Sequence, residues 1–138
     1  MSQPSVLQAA AGVDPDETGL GKRVLIINDQ QTVLIFLHEI LGELGFEVCS
    51  AMTGSEGMSL LQKFAFEGII LDLDMPRTDG ISMLERLQTL SHAVPIIVMS
   101  GDPTRSAMIK AVEAGAKDYI LKPITHEILK FKCLRLFT

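Results

Sequence analysis

Three short stretches, "VLII" (Val24–Ile27), "IIL" (Ile69–Leu71) and "PIIVM" (Pro95–Met99), run without a polar break. A strand with one face in water alternates apolar and polar residues, so an unbroken apolar run of this length belongs to a strand covered on both faces, as in a parallel sheet between helices. Two further β-rich runs, Phe46–Cys49 and Asp118–Leu121, bring the expected strands to five. Between the runs the period lengthens to that of a helix. Val33, Leu37, Ile40, Leu41 and Leu44 repeat at helical spacing, and Gly45 suits a left-handed C-cap. The same period appears in Met58, Leu61 and Phe64, in Ile81, Leu84 and Leu87, and in Met108, Ala111 and Val112 before Gly115. A last helix is predicted from Pro123, or just after it, to the end of the chain. This alternation predicts an α/β domain, a doubly wound five-stranded parallel sheet with five helices.

The remaining properties bound the class of molecule. With 138 residues, 47% hydrophobic and 21% charged, the sequence has the material for one packed domain. A net charge of −5 argues against a domain that itself grips nucleic acid, and no apolar run reaches the roughly 18 residues of a membrane span. Cys49 and Cys133 show no CxxC spacing and read as reduced core thiols of a cytoplasmic protein. Residues 1–21 carry neither a basic n-region nor a sustained apolar core, and read as a flexible tail ahead of a domain over 22–138. Within them "GLGKR" imitates a phosphate-binding loop, but Asp16 and Arg23 stand where that loop needs Gly and Ser or Thr, and a strand follows instead of preceding it.

In open sheets of this kind the ligand site lies beyond the carboxyl ends of the strands, where the winding reverses. The first strand is followed by Asn28 and Asp29, the third by Asp72, the fourth by Ser100 and the fifth by Lys122 and Pro123. Carboxylates gathered on one edge repel one another unless a cation relieves them. A hard divalent ion with oxygen ligands, Mg²⁺ above all, supplies that relief and commonly works on phosphoryl groups.

These residues resemble the receiver domain of two-component response regulators of the chemotaxis-receiver type, over nearly all of Lys22–Thr138. The resemblance rests on an acidic position after the first strand, on "LDLDMPRTDG", on Ser100 after the fourth strand, and on Tyr119 three residues before Lys122-Pro123. It implies a flavodoxin-like fold with strand order 2-1-3-4-5, transfer of a phosphoryl group from a sensor histidine kinase or phosphotransfer protein, and Mg²⁺ as cofactor. It implies Asp72 as phosphoacceptor, Asp29 as a direct metal ligand and the Asp74 backbone carbonyl as another. Lys122 and Ser100 would bind phosphoryl oxygens, Pro123 would follow a cis peptide bond, and Tyr119 would swing inward with Ser100 as the switch. The protein would then be a regulator and not an enzyme, beyond catalysing its own phosphorylation and dephosphorylation. In the family the fourth helix, fifth strand and fifth helix form the usual surface for a partner, a homodimer or an effector domain.

The sequence departs from the pattern at Asn28, where Asp or Glu is commoner; its amide oxygen is expected to reach the metal through water, with a higher Mg²⁺ requirement. The Asp74 side chain is expected to face solvent and to act on phosphate lifetime, and Asp79 to serve the turn before Gly80. His38, His92 and His126 are scattered and read as neither ligands nor phosphohistidines. In the last helix Leu129, Cys133 and Leu136 have core spacing, whereas Ile128, Phe131, Leu134 and Phe137 fall off that stripe and suggest a contact surface. Two rival readings are a phosphorylation-impaired interaction module and, ranked lower, an aspartyl-phosphate hydrolase of the haloacid dehalogenase type. The latter orders its D-x-D strand first and its acidic ligands last, the reverse of Asn28-Asp29 and "DLDMP".

Overall fold

The computed structural model describes residues 19–91 and 93–138. Within the expected tail, residues 1–18 lie outside the described residues, as does His92. Residues 19–21 form a turn in which the Gly19 N–H donates to the Leu44 carbonyl at 2.6 Å.

The elements alternate strictly: β1 (Arg23–Ile27), α1 (Gln31–Glu43), β2 (Glu47–Ala51), α2 (Gly54–Lys63), β3 (Gly68–Asp72), α3 (Gly80–Leu90), β4 (Ile96–Ser100), α4 (Arg105–Glu113), β5 (Asp118–Leu121) and α5 (His126–Phe137). All strand pairs are parallel and the order is β2-β1-β3-β4-β5. Consecutive side chains of a strand point to opposite faces, so each apolar run feeds two cores. Leu25, Ile27, Ile69, Leu71, Ile96 and Val98 pack with Met83, Leu84, Leu87 and Ala111, which places α2, α3 and α4 on one face. Val24, Ile26, Ile70, Ile97, Met99 and Ile120 pack with Leu37, Ile40, Leu41, Leu129 and Cys133, which places α1 and α5 on the other.

Several expectations shift by a residue or an orientation. The ladder carries β3 and β4 one residue past their last apolar side chain, pairing Asp72 with Met99 and Ser100 with Leu121. Phe46 lies just ahead of β2 and is buried. Phe64, expected in the core, is exposed: it follows α2 in an extended conformation that turns its ring outward, where the Arg23 guanidinium sits 5.1 Å from the ring centroid. Val112 likewise faces solvent, and Ala111 is the buried residue of α4. The last helix begins at His126, shortly after Pro123, where the Thr125 side chain accepts from the Ile128 N–H and caps it. Phe137 is a clear correction: four residues beyond Cys133 it prolongs the buried stripe and meets Phe46 edge-on at 6.3 Å. Ile128 and Leu134 are partly buried against the same layer, leaving Phe131 exposed.

Both cysteines are free thiols; Cys133 is buried, and burial pushes it up to about 12, which leaves it inert as a nucleophile.

Candidate functional site

The sheet order reverses at β1, which lies between β2 and β3, and the residues that follow β1, β3, β4 and β5 meet at their carboxyl ends. Asn28, Asp72 and Ser100 are the buried polar side chains of the described core. Among the described residues no buried side-chain nitrogen or oxygen lacks a partner, so the edge is a closed polar network.

Asp72 is its centre. Its Oδ1 accepts from the Lys122 ammonium at 3.0 Å and from the Asp74 N–H at 2.8 Å, while Oδ2 accepts from the Asn28 amide at 3.0 Å. A carboxylate with 3% side-chain exposure is tolerable here because a cation and two dipoles face it. The Asn28 carbonyl oxygen accepts the Gln30 N–H at 2.8 Å, and its amide nitrogen faces Asp72. That orientation follows from Gln30, since only the oxygen can accept from a main-chain N–H.

The Asp74 side chain is exposed, as expected, and is also anchored. Its Oδ1 accepts from the Ser100 hydroxyl at 2.9 Å, and its Oδ2 accepts from the Gly101 N–H at 2.7 Å and lies 3.2 Å from the Lys122 ammonium. Partial burial pushes this carboxyl up, but the Gly101 N–H, the Ser100 hydroxyl and Lys122 outweigh it and hold the group below the ordinary carboxylate range. Burial likewise pushes the Lys122 ammonium down, and Asp72 and Asp74 together raise it above its ordinary value. Lys122 is therefore charged at neutral pH.

The network continues into the loop after β4. The Ser100 hydroxyl also accepts from the Asp102 N–H at 3.1 Å, and the Tyr119 hydroxyl donates to the Asp102 carbonyl at 2.7 Å. Asp79 caps α3 through the Ser82 N–H at 3.3 Å, as expected of turn chemistry. Gly80 is required by a close approach: a Cβ there would lie 2.6 Å from the Leu73 carbonyl oxygen. The Lys122–Pro123 peptide bond is cis. An open cavity of about 360 Å³, lined by Val33, Phe36, Met99, Lys122, Pro123 and Ile124, adjoins the site on the α1 side.

The donors available to a metal are oxygens: the half-buried Asp29 carboxylate, Asp72 and the Asp74 main-chain carbonyl. This hard set fits Mg²⁺ and carries none of the nitrogen or sulfur ligands that favour zinc. Among the described residues no three His, Cys, Asp or Glu side chains cluster at ligating spacing.

The comparisons agree with this geometry. A family model described as "Response regulator receiver domain" matches residues 24–132. The chain is 36% identical over 124 residues to the two-component response regulator ARR2 of Arabidopsis thaliana, covering 88% of this chain and 18% of that protein. It is 35% identical over 108 residues to the transcriptional regulatory protein PrrA of Mycobacterium tuberculosis, covering 78% of this chain and 46% of the relative. The chain thus spans less than half the length of these relatives. Among solved structures, a CheY-like receiver domain protein of Methanospirillum hungatei JF-1 superposes with a TM-score of 0.77 at 29% identity, covering 83% of this chain and 91% of the other. A receiver domain described as BeF3-activated DrrB superposes with a TM-score of 0.73 at 26% identity, covering 83% and 96%.

Proposed function

The chain belongs to the response regulator receiver domain family, and from that premise we propose that it accepts a phosphoryl group on Asp72 from a histidine kinase or phosphotransfer protein, with Mg²⁺, and thereby switches a binding surface. The observation that carries this reading is a buried carboxylate at the switch point of the sheet, with an ammonium 3.0 Å from one of its oxygens and a hydroxyl from the neighbouring strand end in the same network.

In the proposed transfer the Asp72 carboxylate forms an O–P bond as the P–N bond of the donor phosphohistidine breaks. The imidazole leaves with the bonding pair and takes a proton from solvent. Lys122 offsets the charge on the transferred oxygens and Ser100 donates to another of them. Mg²⁺, when bound, would neutralise phosphoryl charge; Asp29, Asp72 and the Asp74 carbonyl would hold it. The cavity beside Lys122 gives a donor protein an apolar shelf at the entrance.

The readout is proposed to run from Ser100 through the loop at Asp102 to Tyr119, the aromatic assigned to the switch. It would emerge on the surface of α4, β5 and α5, where Ile109, Val112, Leu121 and Phe131 are exposed. A partner, a second copy or an effector domain would bind there. The domain acts as a regulator, its catalysis confined to its own acyl phosphate. Among the described residues no helix is long and apolar enough to cross a membrane, and we place the domain in the cytoplasm, where histidine kinases hold their phosphoryl donors.

One observation favours a second reading. The Asn28 amide and the Lys122 ammonium both bond Asp72 directly, as they would in an interaction module that no longer takes phosphate. A turnover assay separates the possibilities. Acetyl phosphate with Mg²⁺ is expected to leave one label per chain, and a phosphomonoester is expected to yield no sustained release of phosphate. Many phosphates released per chain would instead indicate a hydrolase, and no label with either donor would indicate the interaction module.

A further inference from the structure

Lys122 and Ser100, the donors assigned to a phosphoryl group on Asp72, already face another anion, the side chain of Asp74, as does the Gly101 N–H beside them. The Ser100 hydroxyl, the Gly101 N–H and the Lys122 ammonium lie 2.9, 2.7 and 3.2 Å from its two carboxylate oxygens. They come from the end of β4, the loop after it and the segment after β5, so their convergence on Asp74 is tertiary and not a local turn. A carboxylate and a phosphoryl group present the same feature to such donors, anionic oxygens spaced for hydrogen bonds. Asp74 follows Asp72 by two residues, and its main chain donates to the Asp72 carboxylate at 2.8 Å. Its carboxylate therefore sits beside the nucleophile by construction.

We propose that Asp74 is a tethered competitor, an internal carboxylate that holds the phosphoryl seat in the unmodified protein and must leave it for the phosphoryl group to be received. Its side chain is 41% exposed, against 3% for Asp72, so it has an exit to solvent that Asp72 lacks. The same contact gives the unmodified state a defined form. Asp74 draws the Ser100 hydroxyl toward the site, Ser100 accepts from the Asp102 N–H, and Tyr119 is tied to the Asp102 carbonyl. Phosphorylation then exchanges one anion for another at the head of this chain, so that the signal depends on the difference between a carboxylate and a dianionic phosphoryl group. The inference rests on Asp72 being the acceptor.

The test uses Asp74→Ala and Asp74→Asn, both of which keep the main-chain carbonyl and N–H. With acetyl phosphate and saturating Mg²⁺, Asp74→Ala is expected to label about fivefold faster than wild type, and half-saturation by beryllofluoride is expected at about fivefold lower concentration, the weight of one exposed charge-assisted contact. Asp74→Asn, which keeps one acceptor oxygen, for Ser100 or for Gly101, but loses its charge, should fall between. Without any added anion, the Gly101 amide proton should move upfield in Asp74→Ala as it loses its carboxylate partner. Labelling of wild type with no acceleration in Asp74→Ala, or an unmoved Gly101 resonance, overturns the inference alone. Failure of both wild type and Asp74→Ala to take the label overturns the receiver reading, and the inference with it.

Discussion

Lys122→Ala is expected to slow labelling of the protein by acetyl phosphate about a hundredfold or more, the usual cost of removing one fixed donor to a developing anion. Among the described residues Lys122 is the only cation paired with Asp72 or Asp74, bridging one oxygen of each at 3.0 and 3.2 Å. Its loss leaves two carboxylates side by side on a strand edge with only amide and hydroxyl donors, and would deprive the phosphoryl oxygens of the proposed transfer of an ammonium. The cost should also appear in stability, because removing one member of a buried pair strands the other charge. Because Asp72 and Asp74 raise the Lys122 pKa above its ordinary value, its contribution is complete below that ordinary value and is lost as pH rises through the folded one. Stability and labelling should therefore be insensitive to this group across the neutral range. Lys122→Arg should recover part of the rate, since it keeps the charge while placing a broader, planar head in a site built around a point charge. Rates from quenched intact-mass samples, with urea unfolding of the same variants, decide the matter. A wild-type rate in Lys122→Ala would remove this residue from the chemistry.

Asn28→Asp is the second large effect, a loss of stability without metal that added Mg²⁺ partly offsets. In wild type the fully buried Asn28 donates to Asp72 at 3.0 Å, so one neutral hydrogen bond stands where a second carboxylate would otherwise repel. Placing a carboxylate there sets two like charges in contact, with Lys122 their only relief, at a cost of about 3 kcal/mol in the presence of a chelator. The new acid would also join Asp29 and Asp72 in a stronger site for the proposed cation. Added Mg²⁺ should then stabilise the variant by about 2.7 kcal/mol when the ion stands at about a hundred times the variant's dissociation constant, and wild type, which binds it roughly tenfold more weakly, by about 1.4 kcal/mol. The Mg²⁺ concentration for half-maximal labelling should fall roughly tenfold. If Asn28→Asp needs as much Mg²⁺ as wild type, Asn28 does not set the metal affinity.

These effects show where the sequence was legible and where it was not. The fold could be read because the strands are buried on both faces, and the runs at Val24, Ile69 and Pro95 leave no face for water. Strand ends were misplaced by a residue because the ladder continues through Asp72 and Ser100, polar residues whose pairing is set by neighbouring strands. Phe137 was assigned to the surface because helical spacing alone does not reveal that Phe46, far off in the chain, waits to meet its ring. At the site, residue types and order were enough to bring Asp29, Asp72, Ser100 and Lys122 to one edge, since each follows or ends a strand. The partners of each polar atom were not readable. The Asp74 carboxylate bonds residues 26 and 27 positions away, and only the folded edge brings Ser100 and Gly101 to it. The direction of the Asn28 amide likewise depends on which atom the Gln30 N–H claims.

The central claim, that Asp72 is the phosphoacceptor, is tested most directly by intact-mass spectrometry of wild type and Asp72→Asn after acetyl phosphate and Mg²⁺. The isosteric amide keeps the shape of the site and removes the nucleophile. Wild type should gain a single phosphoryl increment that hydroxylamine removes, and Asp72→Asn should gain none. An increment of equal size in Asp72→Asn would contradict the account.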